Sequence, residues 1–231
     1  AVEYRDIGWS LKKLLKAIVM SRTYRQSSEI TPELRELDPR NQLLSRGARF
    51  RLSAETVRDE SLAVAGLLSQ KMGGPPVMPP QPDGLWRSTY NGQKWINAEG
   101  EDRFRRSLYT FTKRTAPFAM ATTFDAPTGE SCLARRDVSN SPLQALTLLN
   151  DQMFMEAAQA MAKQIMAESQ SDDERLTNIF RRCTARPVSS DEMILLKSFL
   201  QKQRGMKLDG EALWSAVSRA ALNLDEAITH P

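Results

Sequence analysis

The sequence predicts an all-α, predominantly helical fold: layers of helices at both ends, and a long ordered proline-rich loop region between them with at most a short β-hairpin. Three observations carry this expectation. Apolar residues recur at helical spacing in Ser10–Ser21, Ala54–Gln70 and from Asp151 onward. Capping residues stand in front of most of these stretches. Five of the twelve prolines fall within residues 71–83, where neither a helix nor a central strand can run. The 231 residues, 41% hydrophobic and 26% charged, are enough to bury a core. The reading is one helical domain, with N-terminal helices over 1–70, the loop region over 71–140 and C-terminal helices over 141–231. Ala1–Tyr4 reads as the middle of a helix, so the chain is expected to be a fragment of something longer.

In chain order, Ser10 caps an amphipathic helix to Ser21. Leu11, Leu14, Leu15, Ile18 and Val19 form its apolar stripe, and Trp9 packs back on it. Thr31-Pro32-Glu33 opens a short helix that Asp38-Pro39 ends, and a turn over Asn41–Ser45 stops at Gly47. Arg49–Leu52 is an extended connector. Ser53 caps a helix over Ala54–Gln70 with Val57, Ser61, Val64, Ala65 and Leu68 inward; Glu55 and Asp59 lie one turn apart on another face, beside Arg58. Lys71–Asp83 runs extended, in polyproline form, with Val77 and Met78 laid against the body.

Arg105–Thr112 is the best strand candidate. The organising stretch is Asp125–Asp151. A charged irregular run there meets Ser141-Pro142, a helix start whose inner face is read as Leu143, Ala145, Leu146 and Leu149. Asn150-Asp151 opens a helix to Glu168 with Phe154, Ala157, Ala158, Met161 and Ile165 inward. Ser171/Glu174 and Ser189/Glu192 are capping boxes for the next two helices, and Glu211–Ile228 is the last.

Composition narrows the chemistry. The only histidine, His230, lies near the end of the chain, so a Ser–His or Cys–His pair and a histidine metal site are disfavoured. Cys132 and Cys183 match no zinc or haem spacing; one disulfide and two free thiols both remain open. No apolar run approaches the ~20 residues of a membrane span. Arginine outnumbers lysine 22 to 10 at a net charge of +4, which points to Arg–carboxylate networks or an anion-binding surface rather than to nucleic acid.

The weak catalytic candidates are Asp125, in the FDAP turn, and Glu55. A turn aspartate is more often a backbone acceptor than an acid or base. The binding candidates are Arg105, Arg106, Arg135 and Arg136, which can converge on one anion or pair with Glu101, Asp102, Asp125 and Asp137. Trp86 and Trp95, with Tyr90, can stack a sugar or pin a long loop.

GWSLKKLLKAIVMSRTYRQSS, RFRLSAETVRDESLAVAGLL, GGPPVMPPQPDGLW, RRSLYTFTKRTAP, FDAPTGESCLARRDVSNSPLQALTLLND and LNLDEAIT stand in this order along the chain. In them the chain resembles the planctomycete-specific domain of unknown function at the C-terminus of large exported proteins, many with an upstream cytochrome-c-like domain. The resemblance implies an exported, cell-envelope location and partners among the upstream domains. It brings no haem to this chain, which lacks the CxxCH portion, and no cofactor is expected in it. It also implies a role near polysaccharide breakdown, because relatives are linked with sulfatase-like and carbohydrate-handling proteins. The leading expectation is a non-catalytic structural or interaction module in which residues 73–140 dock a partner domain. The alternatives are a glycan-binding or carboxylate-dependent carbohydrate-active domain, and a docking partner for a c-type cytochrome.

Overall fold

A computed structural model of the chain describes residues 2–85, 92 and 94–230, the side chain of His230 excepted. The fold is predominantly helical, with one short strand pair among the described residues. The chain divides into two compact units, Ala1–Arg51 with Thr229–Pro231, and Leu52–Ile228.

The smaller unit holds α1 (Val2–Asp6), α2 (Leu11–Val19), α3 (Pro32–Leu37), β1 (Phe50–Arg51) and β2 (Thr229–His230). Ser10 and Thr31 cap α2 and α3 as the sequence predicts, each accepting from the amide three residues on. The α2 stripe is not the core it was expected to be: Leu11, Leu15, Ile18 and Val19 are all exposed. Trp9, at φ +57°, meets Tyr4 edge-on at 5.2 Å. Asp38 organises the turn after α3. Its carboxylate accepts from the amides of Gln42 (2.7 Å) and Leu43 (2.9 Å), and the Arg46 guanidinium bonds the carbonyls of Asp38 and Pro39. β1 pairs antiparallel with β2, Phe50 opposite His230 and Arg51 opposite Thr229. No hairpin joins them.

The larger unit opens with α4 (Ala54–Val64), capped by Ser53. The helix is shorter than the predicted Ala54–Gln70, and Gly66 shows why. It sits at φ +68°, and a Cβ there would meet Gln164 Nε2 at 2.3 Å, the atom that donates to the Ala65 carbonyl. The chain must leave the helix at this point to pass Gln164. The buried stripe of α4 is Ala54, Val57, Arg58, Ser61 and Leu62, so it turns inward an arginine that the predicted stripe left out.

Among the described residues between Ala65 and Asn140 the backbone is irregular, apart from short 3-10 turns at Gly100–Phe104 and Ser107–Tyr109 and α5 (Ala119–Thr123). The predicted strand over Arg105–Thr112 is absent. The segment instead meets the proline loop at single bridges: Val77 donates to the Tyr109 carbonyl and accepts from Phe111, each at 2.7 Å. Its β-prone residues find one isolated partner and no ladder. The proline loop does lie against the body, with Val77, Pro79, Pro80 and Gln81 buried.

The regular half follows: α6 (Pro142–Asn150), α7 (Gln152–Glu168), α8 (Asp172–Thr184), α9 (Ser190–Gly205) and α10 (Gly210–Leu222). Capping boxes close the N-termini of α6, α8 and α9. The last helix ends at Leu222; a 3-10 turn at Asp225–Ala227 follows. Two apolar clusters fill this unit. One joins α7, α8, α9 and α10 through Ala157, Met161, Ile165, Leu176, Ile179, Leu200, Trp214 and Val217. The other joins α4, α5, α6 and the start of α7 through Val57, Leu62, Met120, Phe124, Leu148 and Phe154. Each large side chain buried in this way contributes about 1.5–3 kcal/mol.

The inner face of α6 is Gln144 and Leu148, not the predicted leucine face: Leu143 and Leu146 are exposed. Gln144 is fully buried because its amide has work there. Nε2 donates to the Thr123 carbonyl (3.1 Å), to Ser139 Oγ (3.0 Å) and to the Asp125 carboxylate (3.3 Å).

Candidate functional site

A half-buried edge of α4 carries Glu55 and Asp59, and its buried stripe carries Arg58. Arg58 is 1% exposed. Its Nη1 donates to the Arg105 carbonyl at 2.7 Å and to Ser107 Oγ at 3.4 Å, and its Nη2 to the Arg103 carbonyl at 2.9 Å. Asp59 completes the grip by accepting from the Ser107 amide and hydroxyl, both at 2.7 Å. Two adjacent helical residues thus clamp the 103–107 backbone. Burial pulls the Arg58 guanidinium down to about 10, against the opposing charges of Asp59 and Asp151, so it remains a cation at neutral pH. Asp151, the cap of α7, is shifted upward by its own burial.

Beside this clamp lies a cavity of about 240 Å³ walled by α4, residues 107–112, α5 and the Ala126-Pro127 turn. Arg58, Thr110, Phe118 and Met120 line it, together with the pair Glu55–Arg136, in which Arg136 Nη1 lies 2.7 Å from Glu55 Oε2. An open groove of about 710 Å³ shares Glu55, Ser107, Thr110 and Thr112 with it and adds Asp59, Glu60 and Arg106. Burial works to raise Glu55, but the hydrogen bond from Arg136 and its own capping contacts outweigh it, and the carboxyl sits below its ordinary range. Glu55 is therefore ionised at neutral pH and unsuited to general-acid work.

Asp125 has a different task. At φ +60° it turns the chain so that its carboxylate accepts from the Ser139 amide (2.7 Å) and hydroxyl (2.8 and 2.9 Å), which ties the FDAP turn to the start of α6. It acts as a backbone acceptor and is not among the residues lining the cavity or the groove. Glu55 does line both.

The four candidate arginines do not share a partner, and three of them have partners of their own. Arg105 is buried, with its Nη atoms on the carbonyls of Gly73 and Pro75 and its plane 3.8 Å from the Tyr109 ring centroid. Arg106 is exposed and reaches Met72 Sδ, Arg135 is exposed, and Arg136 holds Glu55. The carboxylates expected beside them are engaged elsewhere. Glu101 accepts from Ser69 Oγ, Asp102 pairs with Lys71 at 2.9 Å, and Asp125 holds Ser139.

Trp95 pins the loop. Its indole N–H donates to the Pro79 carbonyl at 2.8 Å, and its ring stacks on Phe118 with 5.7 Å between centroids. Trp86 and Tyr90 lie outside the described residues. Cys132 is free and exposed; Cys183 is free and buried, with its thiol pushed up to about 12 by that burial.

The residues that sequence reasoning missed are Arg58 and Thr110. A signal existed for the first. Ala54, Val57, Arg58, Ser61, Leu62 and Ala65 form an unbroken helical stripe, and an arginine inside such a stripe is either buried on acceptors or out of register.

No three His, Cys, Asp or Glu side chains among the described residues are grouped to hold a metal, and no helix among them is long and apolar enough to cross a membrane. Comparison with curated proteins finds no significant match, and neither does comparison with solved structures. The family model "Protein of unknown function (DUF1553)" matches residues 1–200, so the chain belongs to the PSD1 family.

Proposed function

We propose that this chain is a non-catalytic structural and interaction module of an exported, envelope-associated multidomain bacterial protein. In this reading the stretch leading into α6 docks an upstream domain of the same polypeptide. One observation carries it. Leu133, Val138, Leu143 and Leu146, close together in sequence, are each more than half exposed, while the same helix buries a glutamine. A run of large apolar side chains turned to solvent is the composition of a contact surface.

The ties of Asp125 and Glu55 to Ser139 and Arg136 support a non-catalytic role. The envelope setting, the cytochrome-type neighbour and the polysaccharide link rest on the resemblance of the sequence motifs alone. A glycan-binding role is the second reading. The open groove favours it, because its carboxylate and hydroxyl side chains (Asp59, Glu60, Thr110, Thr112) suit sugar hydroxyls.

The experiment is calorimetric titration of this chain with the separately expressed upstream domains, and with neutral and sulfated oligosaccharides. Binding to an upstream domain that is lost in the Leu143→Asp/Leu146→Asp double variant is the expected result. Unchanged binding in that variant, or heat from the oligosaccharides alone, sinks the docking reading.

A further inference from the structure

The apolar face of α2 is turned to solvent, and docking through α6 does not explain it. We propose that α2 lies flat on a bilayer rich in anionic lipid, its leucines among the acyl chains and its lysines at the headgroups.

The first argument is the uncovered stripe. Of the nine residues of α2 only Leu14 is even partly buried, and Leu11, Leu15, Ile18 and Val19 are all exposed. Helices shorter than about 12–15 residues are marginal in water unless an apolar face is packed. The two kinds of side chain are also sorted. At 3.6 residues per turn those four apolar residues occupy about 100° of the helix, and Lys12, Lys13 and Lys16 occupy a separate arc of about 100°.

Charge is the second. Between Asp6 and Glu29 the chain has no acidic residue and five basic ones, Lys12, Lys13, Lys16, Arg22 and Arg25, all exposed. Among the described residues none of the five enters an ion pair. An apolar stripe framed by free cations matches a partner that is hydrocarbon beneath and anionic at its surface, which is the layering of a bilayer of anionic lipid.

The kind of cation is the third, and it favours lipid over protein. Arginine outnumbers lysine 22 to 10 in the chain, yet α2 holds three lysines and no arginine. Protein contact surfaces are depleted in lysine and enriched in arginine. A lysine stem, by contrast, lies along hydrocarbon while its ammonium reaches the headgroups. Trp9 before the helix and Tyr24 after it are exposed as well, and amphipathic rings of this kind settle at headgroup level. Nine residues make a helix of about 14 Å, far short of a span, so the contact is one of lying on the surface.

The test is co-sedimentation of the whole chain with phosphatidylcholine vesicles, with and without about 30% phosphatidylglycerol. The anionic vesicles are expected to bind at least about tenfold more tightly than the neutral ones, and to lose that advantage at about 0.5 M salt. Leu15→Asp/Ile18→Asp, at two exposed positions, is expected to weaken binding about tenfold or more without lowering the melting temperature. Lys12→Gln/Lys13→Gln/Lys16→Gln is expected to narrow the preference for anionic vesicles about fivefold or more. The Leu143→Asp/Leu146→Asp variant, which tests docking at α6, keeps full vesicle binding, so the two readings fail separately. Equal binding to the two vesicle types, unchanged binding in Leu15→Asp/Ile18→Asp, or no binding at about 1 mM lipid each overturns the proposal. So does self-association, or binding to an upstream domain, that Leu15→Asp/Ile18→Asp abolishes while vesicles stay unbound, because the face then belongs to a protein contact.

Discussion

The helices of residues 142–222 and the irregular segments described between residues 65 and 140 belong to one compact unit, yet they are held together in different ways. The helices satisfy their own backbone groups and are joined by apolar burial; Met161, Ile165, Leu176 and Leu200 are at most 2% exposed. The irregular chain leaves carbonyls without ladder partners, and arginine takes them up. Arg58 bonds the carbonyls of residues 103 and 105, and Arg105 bonds those of residues 73 and 75. A planar guanidinium with five donors can hold two carbonyls at once, which a lysine does less well. The arginine excess of the composition therefore reflects, in part, the scaffolding of a long loop. An anion-binding surface is not its only explanation.

Three measurements test this contrast, and the largest effect belongs to the helices. Trp214→Ala empties the centre of the α7–α10 cluster, where the indole is 2% exposed with Arg175 over its face, and is expected to cost about 3–5 kcal/mol in a thermal or urea melt. The arginine clamps come next. Arg58→Met and Arg105→Met remove the donors from the carbonyls of residues 103 and 105 and of residues 73 and 75, and are expected to cost about 1–3 kcal/mol each. In hydrogen exchange the loss of protection should concentrate in residues 73–77 and 103–111, while α8 keeps its own. A cost under about 1 kcal/mol, or uniform loss of protection, would show that the loop is held by apolar contacts after all.

The smallest effect is electrostatic and lies at the edge of the helices. Hydrogen bonds from Arg186 and from the Ser189 cap outweigh burial and hold Glu192 down to about 2. A carboxyl lowered on folding contributes stability that is complete above its unfolded value near 4.5 and is lost as pH falls toward 2. Glu192→Gln should therefore flatten the acid limb of the stability curve and leave neutral stability within about 1 kcal/mol, since the pair is partly exposed. A wild-type acid limb unchanged by the substitution would place the acid sensitivity elsewhere.

The same contrast explains what was legible. Capping boxes and helical spacing are local signals, and they located the starts of α7, α8 and α9 to within two residues. The role of Asp125 as a backbone acceptor was legible for the same reason, because turn chemistry is local. The face of α6 was not. Leu143 and Leu146 look like a core stripe until Thr123, Asp125 and Ser139 come within reach of Gln144, residues at the far end of a loop. Arg105–Thr112 looked like a strand because β-propensity was all that could be read, and its two isolated bridges are to Ser69 and Val77, each more than thirty residues earlier. The cavity was half legible. Glu55 and Arg136 were both singled out, but nothing in a linear reading joins residues 81 positions apart.

The pairing of β1 with β2 has a consequence in time. Phe50 lies opposite His230, so the first strand of this sheet is synthesised about 180 residues before the second. At about 5–20 residues per second a ribosome takes roughly 9–36 s to cover that distance. Through that interval the N-terminal unit lacks the strand that completes it, with the leucines of α2 already translated. The larger unit has its α4 and must wait for α10. Both units are thus completed late, from residues near 214–230, and a nascent chain stalled before α10 should be a far better chaperone substrate than one stalled just after β2.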